Sequence, residues 1–269
     1  MPACTSRWIS MPPASRSNLY IGCAGWSLPS ATRSLFGEGE SMLARYATRF
    51  NATEINSSFH RPHRRDTYVR WAASVPARFR FSVKLPRTIT HDARLRGIAR
   101  ELDRFAGEVD GLGRKFAVLL VQLPPSLPFE ARTATTFFAM LRRRFDVGIA
   151  CEARHASWFT PRAEDLWQRH GIARVAADPP VPDGASRDPG GDARMRYWRW
   201  HGSPRVYYSA YDDAALRTLA DGVSGHRGTR WVIFDNTAHG HAATDALRLQ
   251  SMLDEAPTAN SLSKKRRTT

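Results

Sequence analysis

An apolar stretch that becomes densely ionisable within a few positions occupies residues 146–159, DVGIACEARHASWF. This pattern predicts a buried strand that ends in a site. Because side chains alternate between the faces of a strand, Glu152 and Arg154 share one face with the small residues Gly148 and Ala150. A carboxylate and a guanidinium side by side are suited to anion binding and proton transfer. The alternative is an architectural ion pair, since charges are rarely buried without a partner.

Eight strand–helix units are predicted along the chain, the repeat of a TIM-type (β/α)8 barrel. The predicted strands cover residues 19–23, 51–56, 79–84, 116–122, 148–152, 172–177, 195–201 and 230–234. The predicted helices include residues 38–50, 68–75, 88–109, 130–144, 212–220 and 242–253. Another begins at Thr160-Pro161, a cap followed by a proline at the first helical position. Residues 179–192 are rich in Pro, Gly and Asp, which indicates a long loop that could serve as a lid.

Polar residues stand at the ends of seven of the eight predicted strands. In a (β/α)8 barrel the carboxyl ends of the strands carry the active site, so we expect these side chains to converge. The expected catalytic residues are Glu54, Lys84, Glu152 and His201. The expected substrate-binding residues are Asn56, His91, Gln122, Arg154, Asp178, Arg199 and Asn236.

The length of 269 residues fits a single barrel domain, which we place at residues 18–254. Residues 1–17 and the basic residues 255–269 are expected to be disordered tails. No apolar run approaches the roughly 18 residues of a membrane span, and the first 17 residues lack the apolar block of a secretory signal. The three cysteines have no CxxC spacing, which argues against a disulfide framework and a thiolate metal cage. These features together predict a cytoplasmic protein without a membrane partner.

The formal charge of +15 comes almost entirely from arginine and suggests an anionic partner. Most arginines are scattered over the predicted helices, and the basic runs are confined to residues 142–144 and 264–267. A nucleic-acid footprint usually concentrates on one face, so compositional bias explains this charge at least as well.

Over residues 19–253, several motifs together resemble those of the YecE-like family, which is catalogued as domain of unknown function 72. They are Ile21-Gly22 with Gly25-Trp26-Ser27, Glu54-Ile55-Asn56-Ser57-Ser58-Phe59, Val83-Lys84 with Pro86-Arg87, Ile89-Thr90-His91, Val121-Gln122-Leu123-Pro124-Pro125-Ser126, Glu152 with Arg154-His155 and Ser157-Trp158, Arg199 with His201-Gly202, and Phe234 with Asn236-Thr237. The resemblance implies a TIM-type barrel but no reaction. It carries the family's motif residues onto Glu54, Asn56, Lys84, His91, Gln122, Glu152, Arg154, His201 and Asn236. The chain departs from the family pattern at His60 and Asp235.

The first functional hypothesis is an enzyme that acts on a small anionic substrate, phosphorylated or sugar-like, without a cofactor or metal. Lys84, Arg154 and Arg199 would bind the anion. Glu152 or Glu54 would act as general base or acid, and His201 or His91 would carry the second proton transfer.

Three other hypotheses remain open. A metal-dependent barrel hydrolase or isomerase would use Glu152, Asp178, His201 and Asp235 as ligands, although neighbouring arginines would oppose a dication. A nucleic-acid-binding or processing protein would use the basic charge together with the aromatic residues Trp26, Phe59 and Trp158. A non-enzymatic adaptor would leave the polar strand ends unexplained.

Overall fold

Strands and helices alternate through residues 18–255, the part of the chain that a computed structural model describes. The strands are β1 (Leu19–Cys23), β2 (Ala52–Ile55), β3 (Arg80–Lys84), β4 (Phe116–Gln122), β5 (Gly148–Glu152), β6 (Ile172–Arg174), β7 (Ala176–Asp178), β8 (Gly190–Gly191), β9 (Met195–Trp200) and β10 (Thr229–Phe234). The helices are α1 (Met42–Tyr46), α2 (Arg65–Ala73), α3 (Ala99–Val109), α4 (Ala131–Arg144), α5 (Pro161–Arg169), α6 (Asp213–Gly225) and α7 (His241–Glu255). The two predicted tails lie outside the described residues, except for Glu255 at the end of α7.

The strands form two parallel sheets, of order β1-β10-β9-β7 and β2-β3-β4-β5-β6-β8, in which only β8 runs antiparallel. The predicted sixth strand is split at Val175, so that β6 pairs with β5 while β7 pairs with β9. At the other junction between the two sheets, an isolated parallel bridge joins Ala24, which follows β1, to Glu54 in β2. The fold is therefore mixed α/β with parallel sheets, and contacts connect the two sheets at both junctions.

Alternation along the strands divides the core into two clusters. The smaller cluster lies between the two sheets because its members come from strands of both. It contains Ala52, Val118, Leu120, Ala150, Ala173, Val175, Met195, Tyr197, Trp231 and Ile233. The larger cluster packs the opposite strand faces against the helices, and Trp198 and Trp200 belong to it. Tyr197 and Arg199 face away from these two tryptophans, towards the inner cluster and Glu54.

A tight turn after β1 brings the chain close to β2. Gly25 has φ +99°, a conformation that favours glycine, and its backbone N–H donates to the Glu54 carbonyl at 2.8 Å. At Gly22, a Cβ atom would lie 2.0 Å from the Ala52 carbonyl oxygen, so a side chain there would push the two strands apart. The two glycines therefore permit the close approach that holds Glu54 beside the end of β1.

The α-helix predicted over residues 88–109 is wrong in its first half. Residues Thr88–Asp92 form a short π-helix, and α3 begins only at Ala99. Between them Arg94, Leu95 and Gly97 have positive φ, which a right-handed helix cannot contain. As a result His91 belongs to a compact turn after β3 rather than to a long helix.

Other predictions of local structure agree more closely. The Thr160 hydroxyl accepts the Ala163 N–H, and Pro161 opens α5, which confirms the cap. Helix α1 is shorter than predicted, and α6 extends five residues beyond the predicted end, from residue 220 to Gly225. Residues 179–192 lack regular structure except for β8, which pairs antiparallel with β6. No helix within residues 18–255 is long and apolar enough to cross a membrane.

Candidate active site

Arg199 of β9 is the centre of a buried charge network, and its side chain is 0% exposed. Its Nη2 lies 2.8 Å from Glu54 Oε1 and 2.9 Å from Asp235 Oδ2, and its Nη1 lies 3.2 Å from Glu152 Oε2. Burial would lower the pKa of Arg199, but the three carboxylates outweigh burial and raise it, so the guanidinium stays charged. One arginine thus ties together the ends of β2, β5 and β10.

Glu54 is fully buried and has both oxygens occupied. Arg199 Nε and Nη2 reach it from one side, and the Tyr197 hydroxyl donates to its Oε2 at 3.0 Å from the other. The Tyr197 hydroxyl also lies 3.0 Å from Ser82 Oγ, and the ring of Tyr197 stacks on Trp231 in the inner core. Glu54 therefore lies at the inner end of the network, against the apolar interior.

Glu152 accepts hydrogen bonds from several strands at once. Its Oε1 accepts from Gln122 Nε2 at 3.1 Å and from Arg154, whose Nη2 is 2.6 Å away, while its Oε2 faces Arg199. Burial would raise the pKa of Glu152, but Arg154, His201 and Arg199 outweigh it and hold the pKa well below its usual range. Glu152 is thus a fixed negative charge and a poor base near neutral pH.

His201 is held between two carboxylates. Its Nδ1 lies 3.0 Å from Asp235 Oδ2 and its Nε2 lies 3.3 Å from Glu152 Oε1. Burial lowers the pKa of His201, but the negative charge of Glu152 and the hydrogen bond to Asp235 raise it by more, so the net shift is upward. The imidazole is therefore biased towards the protonated form, which is the form that can deliver a proton.

Lys84, the last residue of β3, is 5% exposed and stands apart from these pairs. Its Nζ lies 4.1 Å from the centre of the Phe59 ring, and within residues 18–255 it has no carboxylate within 4.0 Å. Burial and the charge of Arg199 lower the pKa of Lys84 to about 8, and the attraction of the nearby carboxylates offsets only part of this. The ammonium is close to its titration point at physiological pH.

Two further predicted residues, His91 and Asn56, lie outside the hydrogen-bonded network of Arg199. The His91 ring packs edge-on against Phe59, with a centroid distance of 5.0 Å, and its pKa is lowered by burial and then by the charge of Lys84. Asn56 follows β2, and its buried Oδ1 has no hydrogen-bond partner among the described residues. The neutral form of His91 is therefore favoured, and the Asn56 Oδ1 acceptor has no partner within residues 18–255.

Two other predicted residues are placed elsewhere. Asp178 Oδ1 accepts from the Tyr211 hydroxyl at 3.1 Å, and its Oδ2 lies 3.5 Å from Arg187. Asn236 Nδ2 donates to Asp245 Oδ2 at 2.8 Å. Both side chains leave their strands towards the helices, so the structure does not bring them to the Arg199 network.

Sequence reasoning gave no site role in the first hypothesis to three members of the network, Ser82, Tyr197 and Asp235. Alternation contained the signal for Asp235, because Trp231 and Ile233 face the inner core and the residue two positions further must face it too. The same argument places Asn236 on the outer side.

The ligand set of the metal hypothesis is not assembled. Asp178 lies apart from the other three members, and the Arg199 guanidinium contacts both Glu152 and Asp235. No cluster of three or more His, Cys, Asp or Glu side chains within residues 18–255 is arranged to hold a metal ion.

The aromatic residues of the nucleic-acid hypothesis are not a stacking surface. Trp158 is 1% exposed, and its Nε1 donates to the Leu127 carbonyl. Trp26 is half-buried and packs edge-on against Trp71. In the basic run at the end of α4, Arg142 donates to the carbonyls of three residues, which are Val147, His170 and Gly171.

The fold and the site define an α/β protein with parallel strands whose carboxyl ends carry a buried network of charges. Comparison with known proteins then gives the family: the chain belongs to the family described as "Protein of unknown function DUF72", whose model matches residues 20–268. This confirms the resemblance drawn from the motifs.

Individual relatives agree with this assignment. The chain is 30% identical over 167 residues to the UPF0759 protein YecE of Escherichia coli K12, and the match covers 60% of this chain and 59% of that protein. It therefore spans less than two thirds of the curated relative's length.

Among solved structures, a DUF72 family protein of Thermotoga maritima MSB8 is similar with a TM-score of 0.73 and 25% identity, over 88% of this chain and 99% of that one. One from Enterococcus faecalis V583 is similar in fold with a TM-score of 0.73 and 21% identity, over 89% of this chain and 97% of that one.

Proposed function

We propose that this protein is an enzyme that acts on a small anionic substrate, phosphorylated or sugar-like, by acid–base chemistry at the carboxyl ends of the strands. One observation carries the proposal. Three carboxylates, those of Glu54, Glu152 and Asp235, face the guanidinium groups of Arg199 and Arg154 and the imidazole of His201, whose pKa is raised. When His201 and Lys84 are both protonated, four cations face three carboxylates, and an anionic ligand would neutralise the surplus positive charge.

The roles differ from those expected from sequence. Arg199 and Glu54 are fully buried and mutually satisfied, so we assign them to positioning rather than to substrate binding or proton transfer. Lys84 and Arg154, whose side chain is 20% exposed, would bind the anion. His201, held by Asp235 and Glu152, would donate the proton, and Gln122, Asn56 and His91 would line the site.

The same proposal includes closure of the two sheets into a (β/α)8 barrel. If β6 and β7 are counted as one strand, there are eight parallel strands: β1 to β5, β6–β7, β9 and β10. The bridge between Ala24 and Glu54 and the hydrogen bond from Val175 N to the Cys151 carbonyl at 2.9 Å support continuity at the two junctions. Active sites of such barrels lie where the network lies.

The test is ligand binding as a function of pH, measured by calorimetry and by thermal shift with inorganic phosphate and a panel of phosphorylated and carboxylated metabolites. An anion that pairs with protonated Lys84 should bind about tenfold more weakly for each pH unit above about 8. Lys84→Met should remove both the binding and its pH dependence. Lys115→Met should change neither, because Lys115 Nζ is engaged by the Ala72 and Val75 carbonyls.

The proposal fails if no small anion raises the melting temperature of the wild-type protein. It fails equally if the same ligands stabilise Lys84→Met as strongly as the wild type. Binding of a polynucleotide but of none of the small anions would replace it with the nucleic-acid hypothesis.

A further inference from the structure

Lysine is rare in this chain, although the protein is strongly basic. Of 40 basic residues only Lys84, Lys115, Lys264 and Lys265 are lysines, and the last two lie outside the described residues. Arginine therefore serves almost every structural and surface role that a positive charge can fill. A lysine retained at an interior position suggests chemistry that a guanidinium cannot perform.

The two lysines in the described part of the chain have different environments. Lys115 Nζ donates to the carbonyls of Ala72 at 2.6 Å and Val75 at 2.5 Å, near the end of α2, which is a structural role. Lys84 Nζ has no such acceptor within residues 18–255 and rests on the face of the Phe59 ring. Burial without an acceptor is costly for an ammonium and much less so for a neutral amine.

Lys84 is also placed where a reacting group is expected. It is the last residue of β3, and its side chain lies on the inner face of the strand, near the three carboxylates and Arg199. The half-buried ring of His91 packs against Phe59. A neutral amine is a nucleophile towards carbonyl carbon, whereas arginine stays protonated in proteins. The surrounding fixed charges would orient a polar substrate over the amine.

We propose that Lys84 is a nucleophile that forms an imine with the aldehyde or ketone carbon of the anionic substrate. This inference rests on the proposed function and narrows its substrate class to carbonyl compounds that carry a phosphate or carboxylate. Arg154 holds the anionic group, and the carbonyl carbon lies at Lys84 Nζ.

The chemistry is balanced without any oxidant or cofactor. The Nζ lone pair forms a bond to the carbonyl carbon, and the carbonyl π electrons move to oxygen, which takes a proton from the His201 imidazolium. The nitrogen then returns a proton to His201. A second transfer from His201 to the hydroxyl group releases water as the C–O bond breaks and the C=N bond forms. The products are a protonated imine, which keeps the second amine proton, one molecule of water and a neutral His201.

The pKa of Lys84 supports this role. A pKa of about 8 leaves roughly one amine in ten neutral at pH 7, whereas a lysine of ordinary pKa has fewer than about one in a thousand neutral. A much larger fraction of Lys84 is thus in the neutral, reactive form than of a lysine with an ordinary pKa, so Lys84 should react faster wherever the free amine is required.

Reductive trapping with borohydride tests the proposal on the full-length protein. The carbonyl probes are pyruvate, dihydroxyacetone phosphate and pyridoxal 5′-phosphate, and lactate, glycerol 3-phosphate and pyridoxine 5′-phosphate are their matched non-carbonyl controls. Peptide mass mapping should place one reduced adduct on Lys84, with labelling about tenfold or more above each of the other three lysines at pH 7. Lys84→Arg, which keeps the charge, and Lys84→Met should both lose the adduct.

The outcomes separate this inference from the proposed function. Equal labelling of all four lysines, or no adduct on Lys84 with any carbonyl probe, overturns the imine. If the non-carbonyl controls nevertheless stabilise the protein in a Lys84-dependent way, the anion site stands and only the imine is lost. If neither set of compounds stabilises the wild-type protein and no adduct forms, both proposals fail.

Discussion

Replacing Lys84 by methionine should stabilise the protein at neutral pH. In the folded state the pKa of Lys84 falls from 10.5 to about 8, so the charged form is disfavoured by folding. At about 1.36 kcal/mol for each pKa unit, this corresponds to about 3 kcal/mol of stability that is missing at pH 7. Methionine keeps most of the apolar stem, and the lost contact with Phe59 subtracts about 1 kcal/mol, which leaves a gain of about 2 kcal/mol.

The sign of the pH dependence provides a second check. Because the folded pKa is the lower one, the unfolded chain binds the extra proton between about pH 8 and 10.5, and the free energy of unfolding of the wild type should rise across that window. It should rise by up to about 1.4 kcal/mol per pH unit relative to Lys84→Met, because the thioether side chain of the variant does not titrate. The advantage of the variant should therefore shrink above pH 8 and vanish at about pH 10, where the remaining cost of burying the ammonium equals the lost contact with Phe59.

Urea denaturation of both proteins from pH 6 to pH 10 measures this difference, and titrations common to the two proteins cancel. Lys115→Met is the matched control with the opposite sign. It removes two hydrogen bonds to half-buried backbone carbonyls and should cost about 1–3 kcal/mol. The reasoning is refuted if Lys84→Met is less stable than the wild type at pH 7, or if the difference between them does not change with pH. Lys84 would then be an architectural residue like Lys115.

Other changes should behave differently. Glu152→Gln leaves Arg199 and Arg154 without their shared carboxylate and should cost about 3–5 kcal/mol by urea denaturation, whereas Asp178→Asn, whose ion pair is with an exposed arginine, should cost about 1 kcal/mol or less. Because the pKa of His201 is raised in the folded state, its protonation stabilises the protein fully below pH 6.5, and this stability is lost as the pH rises through the folded pKa. NMR titration should show a lower His201 pKa in Asp235→Asn than in the wild type. An unchanged pKa would contradict the pairing of His201 with Asp235. Nucleic-acid binding, if it reflects net charge alone, should fade steeply with salt and ignore sequence in gel-shift assays; sequence-selective binding that survives moderate salt would argue for a built interface.

The strands were predictable because alternation and apolar content are local properties of the sequence. Alternation also determines which polar residues at the strand ends face the inner core. Applied strictly, it distinguishes the residues of the Arg199 network from polar residues that face outwards. Ala173 and Val175 face inwards, so Asp178 must face outwards, while Trp231 and Ile233 place Asp235 inside. The expectation for Asp178 came from counting polar strand ends without following their faces.

The interactions across the interior could not be read from local pattern. Arg199 and Glu54 are 145 positions apart, and their contact depends on how the two sheets face each other. The break between the π-helix and α3 was also hard to predict, because Arg94 and Leu95 adopt positive φ although neither is a glycine, and Gly97 is the only glycine in that segment. Sequence identified the charged residues, and only the packing of the sheets decided which of them neutralise one another.

The network also explains why its two kinds of cation are not interchangeable. Arg199 presents a planar fork of donors, which suits three carboxylates from three strands and keeps its charge at any physiological pH. Lys84 presents a single amine whose Nζ has no hydrogen-bond acceptor or carboxylate partner within residues 18–255. At this position the fixed charges nearly balance without it. Exchanging the two should therefore fail in both directions: Arg199→Lys would leave carboxylates unsatisfied and destabilise the fold, whereas Lys84→Arg would add a permanent charge that cannot act as a nucleophile. The first loss should appear in urea denaturation and the second in imine trapping, which separates the group that holds the site together from the group proposed to react.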